Sequence, residues 1–414
     1  MMKILIYVLI GIMVVGLAVF LAINNDFKSS DIETNQIDII EEDEGLKPSP
    51  KATPIPSKTP EDIIITILAA GDAMAHESQL IHDYDNNPDT YEFGPSFSEI
   101  KESVSKADFA MLNLETSVAG SELGYSGYPD FNTPISFVKA IQDCGFDLIT
   151  LSNNHVIDRG EIGVKNTIEN LNALGVDHTG LSHDEATFYD YYIKDIEGIK
   201  VAVLAYTWKS PSISNYENGN YILRFWDDTE QVKQDINNVR AFGADVVIMV
   251  PHWGEEYHRN FSKKQRKMAE EFISYGADII FGSHPHVVQP IERISVEDEK
   301  GNSREGIVVY SLGNFLANMR NRYNNTGILA SIQIRKSHDG QIKFGEISYI
   351  PTLIKSTRIY RIEASDHVIL PAGKYVNDPL LFRSLDDEHQ EKITDAYNDM
   401  IEIIDPDVAT LKDE

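Results

Sequence analysis

The chain has 414 residues, 42% of them hydrophobic and 24% charged, proportions usual for a globular protein able to bury a large core. With 36 basic against 65 acidic side chains its net charge is −29, the opposite of the clustered Lys and Arg that nucleic-acid binding needs. A single cysteine, Cys144, excludes an internal disulfide framework and a cysteine-rich zinc site.

Residues 4–23, ILIYVLIGIMVVGLAVFLAI, carry no charge. As a helix they would cover the roughly 30 Å hydrocarbon core of a bilayer. No good small-x-small cleavage site follows, which favours a retained anchor over a removed signal. Lys3 ahead of the run places the N-terminus inside and the remainder outside, by the positive-inside tendency. Residues 1–25 therefore read as a single-pass signal-anchor in the cell membrane, with the body on the extracellular side. Residues 26–61 read as a linker: acidic EEDE at 41–44, then KPSPKATPIPSKTP, a composition that favours extended chain and builds no core.

From Asp62 onward, apolar strand-like runs alternate with helical patterns, and an α/β domain is expected over 62–352. Val164, Ile168, Leu171 and Leu174 share one helical face, in a pattern that ends at Gly175. Ser262 and Gln265 stand at capping-box spacing ahead of a second helix that closes on Gly276. Asp339-Gly340 marks a hairpin. Residues 353–414, including LDDEHQEKITDAYNDMIEIID, read as a helical C-terminal extension.

Inside the body a pattern repeats: KADFAMLNLE (106–115), GFDLITLSNNH (145–155), GADVVIMVPHWG (243–254) and GADIIFGSHPH (276–286). Each runs from an aspartate through apolar residues to a cluster of metal-ligand types. Counted from the aspartate, Glu115, Asn154 and His252 all lie seven residues on, and His284 and His286 six and eight. DIIITILAAGD, ending at Asp72, is a fifth run of this style. Similar strands in a parallel sheet would carry these groups to one edge, where open α/β sheets bind ligands. Carboxylates, an amide oxygen and imidazoles suit divalent ions such as Zn, Mn or Fe. On extended backbone His284 and His286 would point the same way. Singly, each ending has a plainer explanation; Asp158, with Glu161 three residues on, could simply cap a helix. Five endings on five strands argue for a shared metal centre.

In this order, GDAMAH, NLET, SNNHVIDRG, HWGEEY, GSHPHVVQ and SLGNF resemble the CapA proteins of poly-γ-glutamate capsule synthesis, over about residues 65–318. CapA-like domains are in turn similar to calcineurin-like metallophosphoesterases. The resemblance implies a layered α/β/α sandwich with two metals at strand ends. It implies Asp72 and His286 on one ion, Asn154, His252 and His284 on the other, and Glu115 at the bridging position. His155 would protonate a leaving group or stabilise the transition state, oriented by Asp158. Arg159 would grip a carboxylate or phosphate. Two departures stand out. Met74 occupies a position where phosphoesterases place a histidine ligand, with His76 as a substitute two residues on, and Glu115 is a methylene longer than the usual aspartate.

The implied partners are poly-γ-glutamate or another anionic wall polymer, together with membrane subunits of a capsule synthetase. SKKQRK (262–267) and ANMRNRYNN (317–325) are candidate basic rims, and Tyr206, Trp208, Trp253 and Tyr257 candidate pocket walls. Three functions remain open at this level. They are a membrane-anchored extracellular component of poly-γ-glutamate synthesis, export or trimming; an extracellular metal-dependent phosphoesterase; and a non-catalytic polymer-binding scaffold.

Overall fold

A computed structural model describes residues 62–83, 91–208, 222–358 and 365–414. The expected anchor and linker, residues 1–25 and 26–61, lie outside the described residues. Among the described residues no helix is long and apolar enough to cross a membrane.

Strands β1 (Ile63–Ala73), β2 (Phe109–Leu114), β3 (Leu148–Thr150) and β4 (Asp177–Thr179) run parallel as successive neighbours in a first sheet. The hairpin β5 (Tyr192–Ile196)–β6 (Ile199–Tyr206) opens a second sheet, extended by parallel β7 (Val246–Pro251) and β8 (Ile279–Phe281). β9 (Ile291–Glu297) and β10 (Ser303–Val309) complete it, β10 parallel to β8. The chain then returns to the first sheet. β11 (Asn314–Leu316) lies parallel to the end of β1, and β12 (Thr326–Lys336) runs antiparallel to β1. β13 (Ile342–Arg358), β14 (Ser365–Pro371) and β15 (Thr410–Leu411) build outward from there.

Alternate residues of a strand face opposite ways, and β1 uses both faces. Ile65, Ile67 and Ala69 enter a core shared with Val201 and Val203 of β6 and Val246 and Ile248 of β7. Leu68 and Ala70 enter another, under the helices Ile135–Cys144 and Gly160–Leu174. The second sheet sends Ala202, Leu204, Val247 and Met249 to its own helices, Thr229–Ala241 and Lys263–Tyr275. The layers are thus α/β/β/α, two mixed sheets back to back. The expected α/β/α sandwich had one β layer too few, because a strand buried on both faces reads the same whichever sheet it joins.

The repeated aspartates explain why the strands align. Each stands just before its strand and clamps one residue of the preceding parallel strand by two hydrogen bonds. Asp108 donates its N–H to the Thr66 carbonyl (3.0 Å) and accepts from the Thr66 N–H at its carboxylate (2.7 Å). Asp147 does the same to Ala110 (2.8 and 2.8 Å), Asp245 to Lys200 (2.8 and 2.8 Å) and Asp278 to Val247 (2.9 and 2.7 Å). The pairing sets strand register with a stagger of two residues per strand, so Asp147 stands level with Ala110, and His252 pairs with Ser283, the residue just before His284.

The helix signals hold. Gly175 caps Gly160–Leu174 in the left-handed conformation, and Ser262 and Gln265 form a reciprocal capping box. The expected division at 352/353, however, falls inside β13. Residues 365–414 supply β14 and β15 as well as helices, and Leu353 of β13 and Leu370 of β14 pack with Ile393 and Ala396 of the helix Asp387–Ile403. Charge and amphipathic pattern showed the helix but not the strand pairing.

Candidate metal centre

The donors converge, but from two sheets rather than one. Asp72 ends β1 and Glu115 follows β2 in the first sheet; His252 follows β7 and His284 and His286 follow β8 in the second. His252 Nε2 lies 3.4 Å from Glu115 Oε1, His286 Nε2 lies 3.9 Å from the same oxygen, and His286 Nδ1 lies 3.2 Å from Asp72 Oδ2. Asn154 Oδ1 is 2.8 Å from His252 Nε2. The six expected ligands are therefore one cluster. Two triads of ligand atoms lie within 4.8 Å of one another, Glu115–His284–His286 and Asp72–Glu115–His252. Glu115 belongs to both, as a bridging position requires. The triads cut across the implied partition, since Asp72 falls with His252 and His286 with His284.

His284 and His286 are not on extended backbone. Their φ angles are 98° and 56°, so both sit in the left-handed region, at a cost of about 1 to 3 kcal/mol each. The intervening Pro285 and the contact of the His284 N–H with Asp72 Oδ2 (3.3 Å) hold this turn. At the other edge Gly71 cannot be replaced: a Cβ there would stand 1.9 Å from the Gly313 carbonyl oxygen. That close approach seats Asp72 beside β11, its N–H donating to Gly313 (3.0 Å).

Burial without partners fits the cluster to an ion. Neither oxygen of Glu115 has a hydrogen-bond partner among the described residues, nor has Nδ1 of His284, although both side chains are buried. Leaving such atoms bare costs about 1 to 3 kcal/mol or more for each group. A divalent ion would satisfy them together. Burial, reinforced by the Asp72 charge, pushes the Glu115 carboxyl well above the usual carboxylate range. Burial opposes ionisation of Asp72 as well, but His286 outweighs it and holds that carboxyl below its usual range. His252 and His284 are pushed down to about 3, chiefly by burial, and so keep the neutral imidazole that ligates metal. Burial would also lower His286, but Glu115 and Asp72 raise it to about 9. A cation in place of that proton would meet the same two carboxylates.

Beside the cluster a cavity of about 300 Å³ is lined by His286, His155, His76, Phe131, Tyr257 and Glu256, among others. His155 Nδ1 lies 2.8 Å from Asp158 Oδ2, which also accepts from the Phe131 N–H (2.7 Å). Asp158 is thus an orienting group and not a side-chain helix cap; the helix behind it opens at Gly160. Burial would lower the His155 pKa, but the Asp158 hydrogen bond and the Glu115 charge raise it. Arg159 does not reach this cavity. Its Nη2 is bound to Ser126 and to the Asp130 carbonyl (2.9 Å), so it staples the 124–130 loop instead of gripping a ligand. Its place one residue after Asp158 in sequence said nothing about which way the chain turns.

His76 joins neither triad, and Met74 is buried with the first-sheet core. Trp208 stacks on His252 (5.8 Å, 5°), whereas Tyr206 and Trp253 belong to the second-sheet core. Within the basic rims Arg266 pairs with Glu270 (2.8 Å), Lys267 with Glu271 (3.3 Å) and Arg322 with Asp399 (2.7 Å). Four polar residues went unassigned from sequence. Asn113 donates to Asp72 (2.8 Å), and the fully buried Asn153 donates to Asn113 (3.1 Å). Ser283 meets His252 Nδ1 (2.8 Å), and Asn314 meets His286 Nδ1 (3.0 Å). Asn113, a polar residue between Leu112 and Leu114, carried a signal in the sequence; each of the others has a polar or small residue on at least one side that conceals it.

A family model described as bacterial capsule synthesis protein PGA_cap matches residues 66–319. The chain belongs to this family. The matched span contains all of the PGA_cap chain's clustered donors. The capsule biosynthesis protein CapA of Bacillus anthracis is 26% identical over 327 residues, covering 74% of each chain. The PGA biosynthesis protein CapA of Bacillus subtilis (strain 168) is 30% identical over 212 residues, 50% of this chain and 52% of that one. The chain thus spans about half the length of the latter. Among solved structures, the NAD nucleotidase NadN of Haemophilus influenzae has a TM-score of 0.45 at 13% identity. That likeness covers 86% of this PGA_cap chain and 65% of NadN, just under two thirds of its length. The calcineurin-like phosphoesterase YfkN of Bacillus subtilis has a TM-score of 0.42 at 15% identity, with 81% and 100% covered.

Proposed function

We propose that this PGA_cap protein is a metal-dependent hydrolase that trims poly-γ-glutamate at an amide bond during capsule assembly or export. The observation that carries the reading is Glu115, buried, shared by two ligand triads and without a hydrogen-bond partner, beside a cavity that also receives the His155–Asp158 pair. Asp72, Glu115, Asn154, His252, His284 and His286 would hold two divalent ions, Mn, Zn or Fe. Such ions supply Lewis acidity and a nucleophile at neutral pH.

The remaining work falls to this chain's own residues. Asp158 accepts from His155 Nδ1 and leaves Nε2 to meet the ligand, the arrangement of a general acid for a leaving nitrogen. Phe131 packs edge-on against the His155 ring (4.8 Å) and helps fix its plane. Segment 4–23 would anchor the body at the outer face of the cell membrane, next to the membrane subunits of a capsule synthetase. The names of the CapA relatives support the polymer, and the chemistry of the donor set supports the ions.

The test is to incubate the full chain, loaded with Mn or Zn, with poly-γ-glutamate and follow polymer length on gels. Shortening that stops with a chelator, and that is absent from a His284→Ala, His286→Ala double variant, is expected. His155→Ala should keep its metal and lose activity by roughly 10²- to 10⁴-fold. Turnover of an aryl phosphate alone would move the reading to a phosphoesterase. Binding of polymer without turnover and without stoichiometric metal would leave a scaffold.

A further inference from the structure

His76 lines the same cavity as His286 and His155, and its ring has one tautomer open to it. The backbone N–H of Asn318 donates to His76 Nδ1 (3.1 Å). A backbone amide can only donate, so Nδ1 is the acceptor and the ring proton sits on Nε2. Burial, followed by the nearby His367, pushes the ring down to about 3, so it stays a neutral donor. The residue is held from both ends. Its own N–H donates to Gln79 Oε1 (2.8 Å), and its ring meets Phe131 edge-on at 5.1 Å, on the aromatic residue that also meets His155. Among the described residues no group accepts a hydrogen bond from its Nε2–H.

The lining says which kind of oxygen suits this donor. No Lys or Arg is among the described residues that line the cavity, while Glu256 is. A carboxylate or phosphate would find its cationic partner at His286 and the clustered donors, whereas against His76 it would meet no Lys or Arg and the carboxylate of Glu256. An uncharged amide carbonyl needs only a neutral N–H, and the walls offered by Phe131 and Tyr257 suit the flat, partly apolar chain on either side of it.

We propose that His76 is a substrate-binding residue that donates its Nε2–H to the carbonyl oxygen of an amide, and so selects amides over anionic phosphoesters. This rests on reading the site as a hydrolase of γ-glutamyl polymer, and the two ideas fail differently.

The full, metal-loaded chain is compared with His76→Ala and His76→Gln, the latter because glutamine keeps an N–H donor. Three readouts are taken: bound metal by elemental analysis, binding of a defined poly-γ-glutamate oligomer by calorimetry, and binding of inorganic phosphate. Both variants should retain full metal. His76→Ala should bind the oligomer about tenfold more weakly, His76→Gln should recover most of that loss, and phosphate should bind all three alike. Loss of metal from His76→Ala would make His76 a ligand and overturn the proposal. Unchanged oligomer binding, or phosphate weakened in step with the oligomer, would overturn it too. If the unaltered chain binds no oligomer, the polymer reading fails alone. N-methylacetamide then takes the oligomer's place, with the His76 imidazole nitrogen signals as the readout. A His76 Nε2 signal that this amide does not shift overturns the proposal.

Discussion

Among the described residues two buried clusters of ionic side chains, one in the second-sheet core and one at the strand ends, are built in opposite ways. Around Asp235, in the second-sheet core, one carboxylate accepts from Tyr191 (2.7 Å), Tyr206 (2.9 Å) and Gln231 (2.7 Å) and pairs with the buried Arg224 (3.3 Å). Both carboxylate oxygens are hydrogen-bonded and the charge is balanced, with Arg224 Nε held by the ion pair alone. Around Glu115, at the ends of the strands, two carboxylates and three imidazoles crowd together, and neither Glu115 oxygen is satisfied. Buried charge that is complete in itself serves the fold. Buried charge that is incomplete calls for something the chain does not contain. The contrast marks the candidate metal centre more sharply than the number of histidines does.

The contrast can be broken by removing one acid from each cluster. The largest effect should come from Glu115→Gln, which takes the shared ligand from both triads: elemental analysis should find the stoichiometric metal gone. The metal-free variant should melt no lower than metal-free parent, since no satisfied contact is lost. A marked loss of stability in the metal-free variant would mean that Glu115 is structural after all.

Asp235→Ala should do the reverse. It leaves the Arg224 charge buried without an anion, a loss of about 3 to 5 kcal/mol in denaturant unfolding, with metal content unchanged. If metal falls in step with stability, the two clusters are not independent. The smallest effect sharpens the picture: Asn314→Ala removes the partner of His286 Nδ1 and should weaken metal affinity by about 10- to 100-fold without emptying the site. Unaltered affinity, measured by competition with a chelator, would reduce Asn314 to a loop residue.

Much of this site could be read from the chain. Asp72, Glu115, Asn154, His252, His284 and His286 were singled out by their place at the ends of apolar runs, and His155 with Asp158 by following Asn154. The repeated aspartates were visible too, although their task of clamping the neighbouring strand was not. Arg159 was misjudged because local spacing carries no information about the loop at 124–130 that it binds. The tail was misjudged because β13 crosses the expected boundary, and pairing with β14 is a long-range choice.

By itself the sequence determined the alternation of strands and helices, the helix caps, and the strand ends that carry donor atoms, because these follow from residues within a few positions of one another. Only the tertiary structure decided that those strands divide between two sheets, that the His-Pro-His turn takes left-handed backbone, and that Glu115 is left bare among imidazoles. Such outcomes depend on which distant segments meet, and a hydrogen bond or its absence between residues far apart in the chain has no local signature.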